Sequence, residues 1–485
     1  MAAKDFIVAI ELGSSKVVGV AGRKNMDGSI SVLAVAKEPS SAFIRKGMVY
    51  NIDKTAQCLQ NIVRQLELKL RRKVTQVYVG VGGQSIRSVR NNVTLELPQD
   101  TKVTLEMVDG MADTNRAMRY PDMAVQDVAV QEYRVDSQLQ LDPVGIQAMH
   151  LEGNYLNILQ RVTFFKNLND CFKTANLRIA DFLIAPLALA KSVLTETERR
   201  SGCALVDMGA ETTTVSVFTK NILRHLVVIP LGAANITKDI ASLQMEEADA
   251  EKMKLNYASA YTESAELEGD TQYKIDGDRA VSRRTFVEIV EGRVEEIVRN
   301  VWYHVPAELK DKLLAGVVLT GGGANLKNIE RAFRQHAGVN KIRIARTLTQ
   351  AVSAPADLLQ KQDAGMCTVL SLVALGSENC AGAELDTNGN LFASEGEQQN
   401  DTGDRTPRKA GEKPEGVVLT LEEQQAAEEK KKQEEAAAKL AREQQEREQE
   451  LAAAAERRRN RPLNKLLRGL KNFGKTLVDS DEGEG

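Results

Sequence analysis

Two stretches of the sequence follow one pattern and decide the fold. Residues 6–21 read FIVAIELGSSKVVGVA, and residues 203–218 read CALVDMGAETTTVSVF. Each has an apolar run, an acidic residue, an apolar residue, a glycine, a small hydroxylated segment and a second run rich in β-branched residues. This order predicts a β-hairpin with a carboxylate, a glycine and hydroxyl groups at its tip. Its repetition in a distant part of the chain predicts a duplicated fold that holds one ligand between two halves.

The predicted hairpin tips carry groups that bind phosphate. Backbone N–H groups and hydroxyls at a tight turn form a concavity for an anion. Glu11 and Asp207 are candidate ligands of a hydrated Mg²⁺, which prefers oxygen, and Lys16 adds a point charge for a phosphate. One such hairpin is weak support by itself, because ordinary β-turns also use glycine and serine.

A third stretch is typical of a nucleotide contact. Residues 315–333 read AGVVLTGGGANLKNIERAF, which predicts a buried strand, a turn of three glycines and an amphipathic helix. The amino end of a helix attracts anions, and glycines admit a bulky ligand close to the backbone. A tight strand-to-helix turn without a ligand is the alternative.

The composition argues against several classes of protein. The formal net charge of the 485 residues is −3 and only 4% are aromatic, which gives no general argument for nucleic-acid binding. The five cysteines include no CxxC pair, so neither a disulfide framework nor a zinc ribbon is expected. No apolar run reaches the ~18 residues that a transmembrane helix needs.

The composition changes after about residue 385. Residues 386–420 are polar and rich in glycine, which predicts a disordered linker. Residues 421–456 consist almost entirely of helix formers, and we expect a charged helical spacer there, with a coiled coil as the alternative.

Residues 457–478 predict a basic amphipathic helix, because apolar residues recur at helical spacing and basic residues follow the other face. Such a helix on a long tether is typical of an anchor that lies on anionic membrane lipids. Docking on the chain's own core or in a groove of a partner is the alternative. The predicted membrane-binding residues are Leu463, Lys465, Leu466, Leu467, Arg468, Leu470, Lys471, Phe473, Lys475 and Leu477.

The three motifs together resemble the actin/Hsp70/sugar-kinase ATPase superfamily. Residues 11–16 are similar to its first phosphate loop, residues 207–214 to its second and residues 320–324 to its adenosine motif. Residues 184–190 resemble the connecting helix that precedes the second phosphate loop. The resemblance implies an α/β fold, a two-lobed actin-like ATPase core with the nucleotide in the central cleft.

Within that superfamily the sequence is similar to the FtsA family of bacterial cell-division proteins. The similarity covers about residues 5–380 and the terminal helix. The stretches that carry it are residues 38–53, 77–83, 227–241, 250–254 and 288–297.

The family inserts a separate subdomain, called 1C, into the first lobe, and this resemblance implies the division of the chain. The implied parts are subdomain 1A in residues 1–84 and 164–200, the inserted subdomain 1C in residues 85–163, and subdomains 2A and 2B with a return to 1A in residues 201–385. The disordered linker, the charged spacer and the amphipathic helix follow.

The resemblance also implies ATP and Mg²⁺ as ligands. It places Gly13, Ser14, Ser15 and Lys16 at the β- and γ-phosphates from one side and Gly209, Thr212 and Thr213 from the other. It places Glu251 and Lys254 near ribose and base, and Gly321, Gly322 and Gly323 under the adenosine. An exposed helix face is the alternative for Glu251 and Lys254, and Thr237 is expected to cap the start of a helix.

Two departures from the superfamily pattern bear on catalysis. Glu11 stands where the superfamily usually has an aspartate, and Ala210 and Glu211 replace glycines of the second loop. Glu211 would repel a polyphosphate unless its side chain points away. No acid precedes Pro186, which leaves Asp207 as the candidate general base for an attacking water. We therefore expect ATP binding with weak or no hydrolysis.

The family implies an adaptor that polymerises on the inner face of the cytoplasmic membrane at the division site. Its implied partners are the C-terminal tail of the tubulin-like protein FtsZ, which it contacts through roughly residues 246–299, further copies of itself, later division proteins of the membrane and anionic lipids, but not nucleic acid. A pilus-assembly ATPase of the same fold and a small-molecule kinase are the alternatives. Neither of these two classes of protein requires a lipid-binding terminal helix.

Overall fold

The computed structural model describes residues 5–263, 271–276, 279–355 and 363–385. The predicted linker, spacer and terminal helix in residues 386–478 lie outside the described residues, so these three predictions stay untested.

The described strands belong mainly to two sheets. In chain order they are β1 (Ile7–Leu12), β2 (Lys16–Lys24), β3 (Ile30–Pro39), β4 (Ile44–Arg45), β5 (Met48–Val49), β6 (Arg72–Val74), β7 (Gln76–Val81), β8 (Arg87–Lys102), β9 (Met123–Val135), β10 (Gln138–Gln140), β11 (Gln147–Arg161), β12 (Arg178–Ile184), β13 (Cys203–Met208), β14 (Thr213–Thr219), β15 (Ile222–Ile229), β16 (Gln272–Asp276), β17 (Arg279–Ser282), β18 (Gly316–Thr320), β19 (Ile342–Ile344), β20 (Val352–Ser353) and β21 (Ala381–Glu384).

The helices lie between these strands. In chain order they are α1 (Ile52–Leu70), α2 (Leu105–Arg116), α3 (Val162–Thr174), α4 (Ala185–Val193), α5 (Glu196–Ser201), α6 (Ala233–Ala241), α7 (Glu247–Tyr257), α8 (Arg283–His304), α9 (Ala307–Lys310), α10 (Ile329–Ala337) and α11 (Cys367–Leu375). Two short 3-10 turns, Gly322–Asn325 and Ala364–Met366, follow β18 and precede α11.

The two lobes contain the same five-stranded arrangement. The first sheet has the order β12-β7-β1-β2-β3-β20, and the second ends in the order β15-β14-β13-β18-β19. In both lobes an antiparallel hairpin (β1–β2 or β13–β14) is joined by a parallel strand (β7 or β18) next to its first strand. The sequence repeat therefore corresponds to a repeat of topology, and the predicted two-lobed α/β fold of the actin-like type is confirmed.

Apolar residues on both faces of the central strands explain why helices cover both lobes. The central strands β1 and β14 have buried side chains at consecutive positions, as expected for a sheet that is covered on both faces. Helix α1 covers the first lobe with one apolar face, and Asn51 caps its start by accepting the N–H of Lys54 at 3.0 Å. Helix α11 returns to the first lobe and packs on β1 and α4.

The segment between β7 and α3 forms a subdomain with its own small core. It consists of β8, α2, β9, β10 and β11, and its core includes Met111, Tyr133 and Leu151. Its long strands join the edge of the second sheet in the order β9-β11-β8-β15. Although this insertion interrupts the first lobe in sequence, it hydrogen-bonds to the second lobe in space.

Side chains strengthen this junction. Arg224 of β15 is buried and donates to both carboxylate oxygens of Glu132 of β9, at 2.8 and 2.7 Å. Ser88 of β8 exchanges two hydrogen bonds with the main chain of Leu226, at 2.8 and 2.9 Å.

Helix α3 starts at Val162, directly after β11. One sequence expectation about a helix start is wrong. Thr237 does not cap a helix, because α6 starts at Ala233 with Gly232 in the cap position, and Thr237 lies in its second turn. Within the described part of the chain, no helix is both long and apolar enough to cross a membrane.

Candidate functional site

Both predicted hairpin tips are four-residue turns closed by the same hydrogen bond. The N–H of Gly13 donates to the carbonyl oxygen of Lys16 at 3.1 Å, and that of Gly209 to the carbonyl oxygen of Thr212 at 2.8 Å. A Cβ atom on Gly13 or Gly209 would lie 2.7 or 2.8 Å from that oxygen. Glycine is therefore the residue that fits at both tips, and the predicted hairpins are present.

Two carboxylates face each other beside these tips. Burial and the negative charge of Asp207 raise the pKa of Glu11 to about 8, while the nearby ammonium of Lys16 and the N–H of Val369 lower it. Burial raises the pKa of Asp207 to about 6. The protonated form is therefore favoured more strongly at Glu11 than at Asp207. A cation between them would displace the proton from Glu11.

Helix α11 points its amino end at this pair. Val369 is the third residue of the helix, where the N–H groups have no partner within the helix. Its N–H lies near Glu11 and lowers the pKa of that carboxyl. Sequence reasoning missed this contact because α11 comes from the far end of the folded body, and no local signal in residues 363–375 identifies Glu11 as its partner.

The three-glycine turn closes over Asp207. Gly321 has a φ of +84°, and a Cβ atom there would lie 2.3 Å from Oδ1 of Asp207 and 2.6 Å from the carbonyl oxygen of Met208. Gly323 also lies against Met208, whereas a Cβ atom on Gly322 would meet nothing within 4 Å. The turn therefore brings its backbone to the end of β13 and leaves Gly322 facing open space.

The predicted phosphate-contact hydroxyls differ in accessibility. Ser14 is buried and accepts the N–H of Gly47 at 2.8 Å. Thr213 is fully buried and donates to a main-chain carbonyl oxygen of its own lobe at 2.8 Å. Ser15 is exposed and Thr212 is half-buried. Among these four, Ser15 and Thr212 present the accessible hydroxyls.

Lys254 does not lie on an exposed helix face, which was the alternative, whereas the Glu251 side chain is 43% exposed. Lys254 is buried and donates to the hydroxyl of Thr237 at 2.9 Å, to the carbonyl oxygen of Ala233 at 3.2 Å and to Glu251 at 2.7 Å. Thr237 donates to Glu251 at 2.5 Å. These contacts fasten α7 to α6, whose Ala233 N–H donates to the carbonyl oxygen of Gly209 in the second hairpin tip at 3.0 Å.

The side chain of Glu211 reaches the other lobe. One oxygen accepts the backbone N–H of Lys46 at 2.7 Å, and the other accepts from the ammonium of Lys238 at 3.3 Å. Lys46 lies in the turn between β4 and β5, and sequence reasoning did not identify it or Lys238 as neighbours of the site. The negative charge of Glu211 is thus compensated by donors from both lobes.

Magnesium is compatible with the donors of the site. Carboxylate oxygen is the preferred ligand type, and one or two carboxylates with water and phosphate oxygens suffice for this ion. Glu11 and Asp207 supply such a pair. The described residues contain no group of three or more His, Cys, Asp or Glu that is placed to hold a metal ion.

Comparisons with known proteins agree with this arrangement. The family described as "Cell division protein FtsA" matches residues 204–358, and "SHS2 domain inserted in FTSA" matches residues 83–159. A curated cell division protein FtsA of Pseudomonas aeruginosa is 31% identical over 66% of this chain and 78% of that protein. The FtsA of Neisseria meningitidis is 32% identical over 67% of this chain and 80% of that protein.

A solved structure has the same fold. The PilM–PilN type IV pilus biogenesis complex superposes with a TM-score of 0.54 over 76% of this chain and 97% of that chain, at 17% identity. This likeness concerns the fold alone. The sequence relatives decide the family, because they are 31% and 32% identical to this protein over 78% and 80% of their own length. The chain belongs to the FtsA family of cell division proteins.

Proposed function

We propose that the chain binds ATP with Mg²⁺ between the two hairpin tips and the three-glycine turn. The observation that supports this most directly is the meeting of Glu11, Asp207 and the backbone of Gly321 at one place. In this proposal Gly13 and Gly209 present backbone at the phosphates, and Ser15 and Thr212 add hydroxyls. Residues 321–323 face the adenosine, with Gly322 offering open space for it.

Glu11 and Asp207 would hold Mg²⁺ through its waters, and the ion would neutralise charge on the phosphates. Lys16, which already lies near Glu11, adds a further positive charge. Asp207 is the candidate general base for a water, but no acid precedes Pro186 to orient that water. We therefore propose weak or absent hydrolysis, in which bound nucleotide mainly favours one conformation of the lobes.

Glu251 and Lys254 take an indirect part in this proposal. Their contacts hold α6 and α7 together, and α6 in turn supports the second hairpin tip. We propose that they position this tip in addition to lying near ribose and base.

Membership of the FtsA family supports a role in cell division. We propose that the protein assembles on the cytoplasmic face of the membrane, tethers FtsZ filaments there through the predicted surface in residues 246–299, and recruits later division proteins. The basic amphipathic pattern of residues 457–478 is the support for membrane binding.

Co-sedimentation with vesicles tests the proposal. The full chain and a version that ends at Asn460 are mixed with FtsZ and vesicles that contain anionic lipid, with and without Mg-ATP. We expect the full chain to sediment and to bring FtsZ with it, and the shortened chain to leave both in solution. Equal sedimentation of the two versions would refute the anchor.

A matched pair of substitutions separates apolar insertion from charge. Leu467→Glu places a carboxylate on the apolar stripe, and Asn472→Glu places the same carboxylate on the opposite side of the predicted helix. We expect L467E to abolish binding and N472E to retain most of it. Equal loss in both would mean that the segment binds by charge alone.

A further inference from the structure

A small hairpin of the first lobe lies between the two phosphate-loop candidates. Strands β4 and β5 are joined by Lys46 and Gly47, with φ angles of 50° and 71°. Positive φ at both positions is typical of the tight two-residue turns that match strand twist. The N–H of Gly47 donates to the hydroxyl of Ser14 in the first tip at 2.8 Å. The turn is therefore fixed to the first phosphate loop.

The same turn is joined to the second lobe through Glu211. Its carboxylate accepts the N–H of Lys46 at 2.7 Å and pairs with Lys238 at 3.3 Å. The Glu211 side chain is 22% exposed, while both hydrogen bonds that it accepts lie at the exposed surface. A hydrogen bond to an ionised acceptor is stronger than a neutral one. One side chain thus links the two lobes beside the tips.

A nucleoside triphosphate would compete with this link. Glu211 lies in the four-residue tip 209–212, where the proposed function places the phosphates. The terminal phosphate carries negative charge that repels the carboxylate. The phosphate oxygens can also accept hydrogen bonds from the same donors, the Lys46 N–H and the Lys238 ammonium. A diphosphate lacks that group and leaves the link intact.

We propose that Glu211 is a latch across the cleft that the terminal phosphate of a nucleoside triphosphate must open. The latch makes the site discriminate between nucleoside triphosphates and diphosphates. This inference rests on the proposed nucleotide site and names the residue that sets its selectivity.

Breaking the hydrogen bond between Glu211 and Lys46 would also affect the inserted subdomain. Gly47 packs against Gly83, so closely that a Cβ atom on Gly47 would lie 2.5 Å from the Cα atom of Gly83. The N–H of Gln84 donates to the carbonyl oxygen of Lys46 at 3.0 Å. Residues 83–84 lead directly into β8, so the turn that Glu211 holds also supports the root of the insertion.

Two measurements on the full chain test the latch. The variant is Glu211→Ala, and the control is Glu196→Ala, which removes an exposed carboxylate on α5 away from the cleft. The first measurement is hydrogen exchange of residues 44–49 without nucleotide. The second is the affinity for fluorescent ADP and for a fluorescent, non-hydrolysable ATP analogue, with Mg²⁺.

We expect the Lys46 amide to exchange about tenfold faster in E211A than in the wild type, as the loss of one charge-assisted hydrogen bond implies. The affinity for the triphosphate relative to the diphosphate should rise by about tenfold in E211A. The control should match the wild type in both measurements.

Three results would overturn the latch in distinguishable ways. Equal exchange of the Lys46 amide in wild type and E211A would show that the contact does not form in solution. Binding of both nucleotides with an unchanged affinity ratio would show that Glu211 does not compete with the terminal phosphate. Failure of both nucleotides to bind either protein would refute the nucleotide site itself and remove the competition with it, whatever the exchange result.

Discussion

Gly321 offers the most direct test of how the three-glycine turn meets Asp207. Its φ of +84° is one that side-chain-bearing residues rarely adopt, and a Cβ atom would lie 2.3 Å from Asp207 Oδ1 and 2.6 Å from the Met208 carbonyl oxygen. Gly321→Ala must therefore strain its own backbone and push the end of β13 away.

The expected loss of stability in Gly321→Ala has two contributions. The φ of +84° and ψ of 169° at Gly321 lie in a region that almost only glycine adopts, and a residue with a side chain there costs about 1–3 kcal/mol. Forcing an extra carbon into packed surroundings costs about 1–3 kcal/mol. The sum is about 2–6 kcal/mol of free energy of unfolding. For a lobe of this size, that corresponds to a fall of roughly 10 °C in the Tm of the lobe that contains β13 and β18.

The neighbouring Gly322 is a matched control, because a Cβ atom there would meet nothing within 4 Å. Thermal unfolding followed by circular dichroism should give G322A a Tm within about 2 °C of the wild type, since surface changes without contacts have small effects. G321A should also lose nucleotide affinity, because Asp207 is displaced. If G321A and G322A have the same Tm, the close approach of Gly321 to Asp207 is not formed and the reasoning fails.

Three further substitutions probe the charged groups of the fold. Arg224→Met should lower the free energy of unfolding, measured with urea, by about 3 kcal/mol, because Glu132 loses its bidentate partner in a partly buried place and keeps the longer contact with Lys220 at 3.7 Å. The double variant R224M/E132Q should recover part of the loss, and no recovery would mean that the pair itself contributes little. Because the pKa of Glu11 is raised to about 8, the native state retains a proton that the unfolded chain releases near pH 4.5. Wild-type stability should therefore fall as pH rises from 5 to 8. Glu11→Gln should flatten this dependence in a series of Tm measurements, and parallel curves for the two proteins would contradict the raised pKa. Lys254→Met removes the donor shared by Thr237 and Glu251 and should cost about 2 kcal/mol in the same urea assay, with an unchanged midpoint counting against its structural role.

The local patterns of the sequence were sufficient to predict the hairpins and the glycine turn. The run around Glu11 and the run around Asp207 each encode strand, tip and strand within 16 residues, so their geometry depends on neighbours in the chain. The repetition of that pattern predicted a duplicated fold, and the resemblance to the actin/Hsp70/sugar-kinase superfamily implied its α/β class.

Contacts between distant segments could not be predicted in this way. The hydrogen bond between Glu211 and the Lys46 N–H joins residues 165 positions apart. Because the donor is a backbone N–H, no side chain in the sequence identifies it. Lys254 lies in a helix rich in charged residues, and nothing in that stretch shows that α6 covers it. Thr237 resembled a helix cap because threonine favours that position, but the backbone of Gly232 and Ala233, fixed on the second tip, sets the actual start.

The junction of the inserted sheet with β15 has a mechanical consequence. Only one ladder pair, Arg87 with Val227, joins β8 to β15, and it lies at the start of a strand of 16 residues. Such a strand is about 50 Å long if fully extended. The Arg224–Glu132 pair and the Ser88–Leu226 bonds add to this junction. If the insertion turned as one body about it, a rotation of about 5° would carry its far end through roughly 4 Å. A change too small to alter the cleft visibly would thus be amplified at the tip of the insertion.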